Sequence, residues 1–117
     1  MRHHKKGRKF GRTADQRVAL RRSQLRSLII HERISTTEAK AKELRPAIEK
    51  LVTRARIDTV ANRRVVSARL GNDTLATKKL FASIAPRFKD RKGGYVRIVK
   101  RAPKADGKKM AYIAFVA

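Results

Sequence analysis

Residues 110–116 read Met110-Ala111-Tyr112-Ile113-Ala114-Phe115-Val116. A nearly continuous apolar run of this length predicts a strand covered on both faces, which is the position of a central strand in its sheet. Just upstream, Tyr95–Arg101 is rich in β-branched and aromatic residues and predicts a second strand. Between them Pro103–Lys109 carries Asp106-Gly107, a turn signal, so the two strands form a hairpin with a rather long basic loop. A third, short β-compatible segment spans Arg33–Thr36.

Helical patterns fill the rest. Thr13 with Gln16 makes a capping box. The helix it opens runs from about residue 14 to 31, with Val18, Leu25, Leu28 and Ile29 facing the core and Arg17, Arg21, Arg22 and Arg26 mostly off that face. Ser35 with Glu38, or Thr37 alone, caps a second helix whose stripe is Leu44, Ile48, Leu51, Val52 and Ala55. Pro46 lies inside that pattern and predicts a kink or a break. Asp58 or Thr59 caps a third helix with Ala61, Val65 and Ala68 on one face, ended by Gly71. Asn72 or Asp73 caps a fourth, with Ala76, Leu80 and Ile84 in line and Phe81 beside them, stopped by Pro86. The order is α-β-α-α-α-β-β, and the length fits one domain.

Charge supplies the functional signal. Lys and Arg number 32 against 9 Asp and Glu, a net charge of +23 on 117 residues. An exposed ion pair contributes less than about 1 kcal/mol, so stability does not explain such an excess, whereas a polyanion neutralises it and releases counterions. The stretch from Glu32 to Asp58 is close to balanced and reads as scaffold; the ends are strongly basic. Residues 1–12 carry Arg2, His3, Lys5, Lys6, Arg8, Lys9 and Arg12 with almost nothing to bury, and predict an arm that is disordered until it folds against RNA, ahead of a single domain over residues 13–117. Further candidate contacts are Arg17, Arg21 and Arg22 on the first helix and Arg63, Arg64 and Arg69 on the third. The loop and hairpin add Arg87, Arg91, Lys92, Gly93, Gly94 and Arg97. Of these, Arg63, Arg64, Arg87, Arg91, Lys92 and Arg97 are expected to form one surface around Gly93-Gly94, where the backbone can approach phosphate closely. Such dispersed sites suit an irregular folded RNA better than a straight DNA duplex, and guanidinium both binds phosphate bidentately and stacks on unpaired bases. A stacking sheet is not expected, because Tyr95, Tyr112 and Phe115 lie in strands that read as buried.

Other chemistries find little footing. The chain has no cysteine, and His3, His4 and His31 lack metal-ligand spacing. No phosphate-cradling glycine motif and no paired catalytic carboxylates are present, so neither catalysis nor a metal or cofactor is expected. Leu28-Ile29-Ile30 is the longest strongly apolar run before the C-terminus, far short of a membrane span.

The chain closely resembles the bacterial large-subunit ribosomal protein seventeen family, nearly end to end. The resemblance begins with Met1-Arg2-His3, Gly7-Arg8 and Gly11-Arg12. It continues through Ile34-Ser35-Thr36-Thr37, Lys40-Ala41-Lys42-Glu43-Leu44-Arg45 and Val60-Ala61-Asn62-Arg63-Arg64. Pro86-Arg87-Phe88, Arg91, Gly93-Gly94-Tyr95, Arg97-Ile98 and Met110-Ala111-Tyr112-Ile113 complete it. It implies a two-layer α+β fold, with helices against a small mixed three-stranded sheet in which Arg33–Thr36 pairs with the C-terminal hairpin. It also implies a structural, non-catalytic role in the cytoplasmic ribosome. The partners it implies are 23S rRNA on the solvent side near the nascent-chain exit and neighbouring large-subunit proteins, with no membrane and no small-molecule substrate.

Overall fold

A computed structural model describes residues 13–116. Its elements are α1 (Ala14–His31), β1 (Arg33–Thr37), α2 (Glu38–Ala55), α3 (Val60–Arg69), α4 (Thr74–Lys79), a π-helical turn (Leu80–Ile84), α5 (Ala85–Arg87), β2 (Val96–Arg101) and β3 (Met110–Phe115). This is the α-β-α-α-α-β-β order, with the fourth helix built from three abutting pieces. As its apolar run predicts, β3 is the middle strand, in the order β1-β3-β2. Ile113 pairs with Ile34 on one side and Ile98 on the other. The sheet is antiparallel throughout, not mixed. The direction of β1 is locked at both ends: the Glu38 amide donates to the Lys109 carbonyl (3.0 Å) and the Phe115 amide to the Glu32 carbonyl (3.1 Å).

Ala111, Ile113 and Phe115 of β3 turn toward the helices and join one apolar core with Leu25, Leu28 and Ile29 of α1 and the whole predicted stripe of α2. Ala76, Leu80, Phe81, Ile84 and Phe88 close it from the fourth helix. Helices and sheet thus form two layers. Each long helix starts on a hydroxyl or carboxylate that accepts from the amide three residues on: Thr13 from Gln16, Thr37 from Lys40, Thr59 from Asn62 and Asp73 from Ala76. Thr13 and Gln16 form the reciprocal box.

Three further expectations need correction, and the one for Pro46 is narrowed. Val18 is 46% exposed, because only the last two turns of α1 reach the core. On α3 the buried line is Val66 and Leu70, while Ala61 and Ala68 face solvent. Burying the larger side chains rotates this weakly amphipathic helix away from its alanines. Pro46 does not break α2, which runs unbroken from Glu38 to Ala55. It sits on the exposed flank with Lys42, where solvent replaces the lost donor. Pro86 does not stop the fourth helix either. The chain widens just before it, the Ala85 amide reaching back five residues to the Leu80 carbonyl, and Pro86 falls in the first turn of α5, where its missing N–H costs little.

Gly71 does end α3 as expected. At φ +67° it closes a Schellman turn, with Asn72 donating to the Ser67 carbonyl (2.7 Å) and Gly71 to that of Ala68 (3.2 Å).

Glu32, in the left-handed region at φ 64°, ends α1 and ties the layers together. Its carboxylate accepts from Arg87 and lies 3.4 Å from Lys79 Nζ. The hydrogen bond from Arg87 is the main cause that lowers its pKa to about 2, against the cost of burial. A depressed folded pKa contributes stability above the unfolded value near 4.5, and that contribution is lost as pH falls from there toward 2. Glu32→Gln should therefore cost on the order of 1 kcal/mol at pH 7, after discounting for a side chain one-third exposed. The gap to wild type in thermal melts should close between pH 4.5 and 2. A gap that stays constant across that range would remove Glu32 from this role.

Candidate nucleic-acid interface

The helical layer carries two open hollows that share a rim. One, of about 740 Å³, lies between α1, α2 and α3 and is lined by Val18, Arg21, Arg22, Glu43, Pro46, Lys50, Leu51 and Arg69, among others. The second, of about 540 Å³, is lined by Lys50, Leu51, Arg54, Asn62, Arg69, Lys92 and Gly93, among others. Lys50, Leu51 and Arg69 belong to both, so one groove runs from α1 across α2 and α3 to the loop before β2. Six exposed cations border it: Arg21, Arg22, Lys50, Arg54, Arg69 and Lys92.

Local structure sets these positions. Arg22 crosses over Gly71, where a Cβ would meet its Cδ at 3.1 Å, so the turn that ends α3 also seats an arginine of α1. Gly94, at φ +64°, turns the chain from Lys92 into Tyr95. Tyr95 is buried, and its hydroxyl accepts from Arg56 Nη1 at 3.0 Å. Arg56 Nη2 donates to the Lys89 carbonyl at 2.9 Å, pinning the basic loop to the end of α2.

The carboxylates are largely engaged elsewhere. Glu38 lies 3.0 Å from Lys42 and 3.7 Å from Lys100, Asp58 binds Arg63, and Asp73 binds Arg26. Glu49, on the groove wall, accepts from the backbone amides of Tyr95 and Val96, both at 3.2 Å. The Arg63 and Lys42 partners hold Asp58 and Glu38 below the usual carboxylate range; for Asp73 the Ala76 amide leads, with Arg26 adding to it. The groove therefore presents a mostly cationic border, which a sugar–phosphate backbone fits.

The predicted contacts divide accordingly. Arg2, His3, Lys5, Lys6, Arg8, Lys9 and Arg12 lie outside the described residues. Arg21, Arg22, Arg69, Lys92 and Gly93 meet in the groove. Arg17 is half-buried on α1, and Arg91 is exposed with its Nε on the Gly93 carbonyl at 3.2 Å. The single surface expected around Gly93-Gly94 does not form. Arg63 and Arg64 line the other flank of α3, with Val60, Leu75 and Lys78. Arg63 is forked onto Asp58, its Nη2 at 2.8 Å from Oδ2. Arg87 is held by Glu32 and by Ser83 Oγ at 3.2 Å. Arg97 stands on the sheet, away from the groove.

Lys50 and Arg54 join the groove although the near-neutral charge of α2 marked it as scaffold. That neutrality hides their placement: Glu38 lies beside Lys100 of the sheet and Glu49, on the groove wall, is taken up by the amides of Tyr95 and Val96, while Lys50 and Arg54, one turn apart, share the flank beside α3. Their i, i+4 spacing off the apolar stripe is the signal that marks them.

Among the described residues no cluster of His, Asp and Glu could hold a metal ion, and no helix is long and apolar enough to cross a membrane.

A family model described as ribosomal protein L17 matches residues 20–116. The chain is 52% identical to the large ribosomal subunit protein bL17 of Zymomonas mobilis, over 99% of this chain and 83% of that protein. It is also 52% identical to the protein of the same name from Thermomicrobium roseum, over the full length of both. With that of Shouchella clausii it shares 50% identity over 92% of this chain and 97% of the relative.

Proposed function

The chain belongs to the ribosomal protein L17 family, and on that premise we propose that, as a structural constituent of the large ribosomal subunit, it binds and stabilises folded 23S rRNA. The observation that carries the RNA reading is the groove itself, in which six exposed cations outnumber the two lining carboxylates, Glu43 and Glu49, the second of them turned to the backbone amides of Tyr95 and Val96. Phosphates of an irregular RNA lie along it, and the arm of residues 1–12 extends the contact by ordering within the RNA. Residues 13–117 act as the single rRNA-binding domain. Family resemblance supports a place on the solvent side near the nascent-chain exit, beside other large-subunit proteins, in the cytoplasmic ribosome. The role is architectural and needs no cofactor.

The test is reconstitution. Labelled chain mixed with 23S rRNA and the other large-subunit proteins should sediment with the large subunit at low salt and be stripped as salt is raised. Crosslinks to rRNA should map to the groove residues. A chain that stays at the top of the gradient, or that prefers duplex DNA to rRNA fragments at equal salt, would overturn the reading.

A further inference from the structure

The side of the sheet that faces away from the helices carries three rows of residues across the strands. They are Arg33–Ala114–Arg97, Ser35–Tyr112–Val99 and Thr37–Met110–Arg101. None of the nine is acidic. At ordinary strand spacing and rise the face measures roughly 10 Å by 14 Å. Tyr112, expected to be buried, is only half-buried here. The Arg33 guanidinium lies 3.9 Å from its ring centroid and that of Arg101 5.0 Å. Arg101 also donates to Ser35 Oγ at 2.6 Å. Beside the ring Val99 is 47% exposed, and Ala114, the smallest residue of the face, separates Arg33 from Arg97.

We propose that this outward sheet face is a second RNA contact, which grips an unpaired segment by the guanidinium groups of Arg33, Arg97 and Arg101 around Tyr112. The inference rests on the rRNA-binding reading above and extends it to the opposite side of the molecule. A guanidinium held over a tyrosine keeps its in-plane N–H groups free for phosphate. Stacking also orders the side chain in advance, which lowers the entropy lost on binding. The outer planes of the guanidinium groups stacked on Tyr112, with exposed Val99 beside them, suit the flat face of an unstacked base. An acidic peptide would use the charge but not the planes. With the groove on the helical layer and this face on the sheet layer, the protein binds between two RNA segments and clamps them together.

Full-length chain is titrated with a 12-nucleotide oligouridylate and with 23S rRNA fragments over a range of salt. For Arg33→Gln/Arg97→Gln/Arg101→Gln the slope of log K against log salt should be shallower by roughly 2, with binding roughly 100-fold weaker at 0.1 M salt. Arg33→Lys/Arg101→Lys should keep the slope and lose roughly 10-fold in affinity, because the charge remains and the stacking plane does not. This second variant carries the test if the first fails to fold. Wild-type slope and affinity in both variants, beside a wild type that does bind RNA, would overturn the sheet contact alone. So would a loss confined to a polyglutamate probe, which would make the face a protein contact. A wild type with no salt-dependent rRNA binding would instead overturn the RNA-binding reading itself.

Discussion

Replacing Arg22, Lys50, Arg54 and Arg69 together by glutamine should lower affinity for 23S rRNA by about three orders of magnitude at 0.1 M salt. The slope of log K against log salt should become shallower by roughly 3, since each phosphate contact contributes about 0.7 to 0.9. These four come from three helices and meet only in the folded chain, along the shared rim of the two hollows. All four are exposed, so the substitutions should leave the melting temperature within a few degrees of wild type. Neutralising Arg63 and Arg87 instead should do the opposite. These two are engaged by Asp58 and Glu32, so their loss should cost stability and change the salt slope little. Equal slope changes in the two variants would mean that only net charge matters and that the groove has no special part.

Ile113→Ala should be the most damaging of the simple core truncations in the sheet. Ile113 is fully buried at the centre of the middle strand, paired with Ile34 and Ile98 and packed toward the helices. Truncation at such a site costs roughly 3–4 kcal/mol through lost burial and the cavity left behind. For a chain of this size that lowers the melting temperature by about 15 °C. Val99→Ala, on the outward face, should cost under about 1 kcal/mol, because that side chain is already half in water. Thermal denaturation of both variants distinguishes the two faces, and similar losses would contradict the assignment of the inner face as the core.

Much of this fold is legible in the chain. The run from Met110 marks the central strand because a strand apolar on both sides has no solvent face to spare. The capping residues narrow each helix start to one or two candidates, and the structure selects Thr37, Thr59 and Asp73 beside the expected Thr13, each satisfying an amide three residues on. The stripe of α2 is wide enough to fix which way that helix faces. Where the apolar signal is thin it misleads. Ala61 and Ala68 share one face of α3 with Val65 but offer little to bury, and only the fit of Val66 and Leu70 against the other helices settles its rotation.

The candidate site divides along the same line. Charge, and its concentration toward the two ends, is a property of composition and announces a polyanion before any folding is considered. Which cations remain available is a matter of what stands beside them, and those neighbours are far away along the chain: Glu32 engages Arg87, Asp73 engages Arg26, and Glu49 turns to the amides of Tyr95 and Val96. The outward position of Tyr112 is hidden for a related reason. An apolar strand looks the same from both sides in the sequence, and only the packing of helices on one side leaves the other to the arginines of β1 and β2. The sequence by itself determined the order of the elements, the Thr13 cap and the central strand, and its charge called for a polyanion, because each depends on composition or on contacts within a few residues. Only the tertiary structure decided the direction of β1, the facing of α3 and the division of basic residues between ion pairs and groove. Each of these depends on contacts between residues tens of positions apart, which no local pattern encodes.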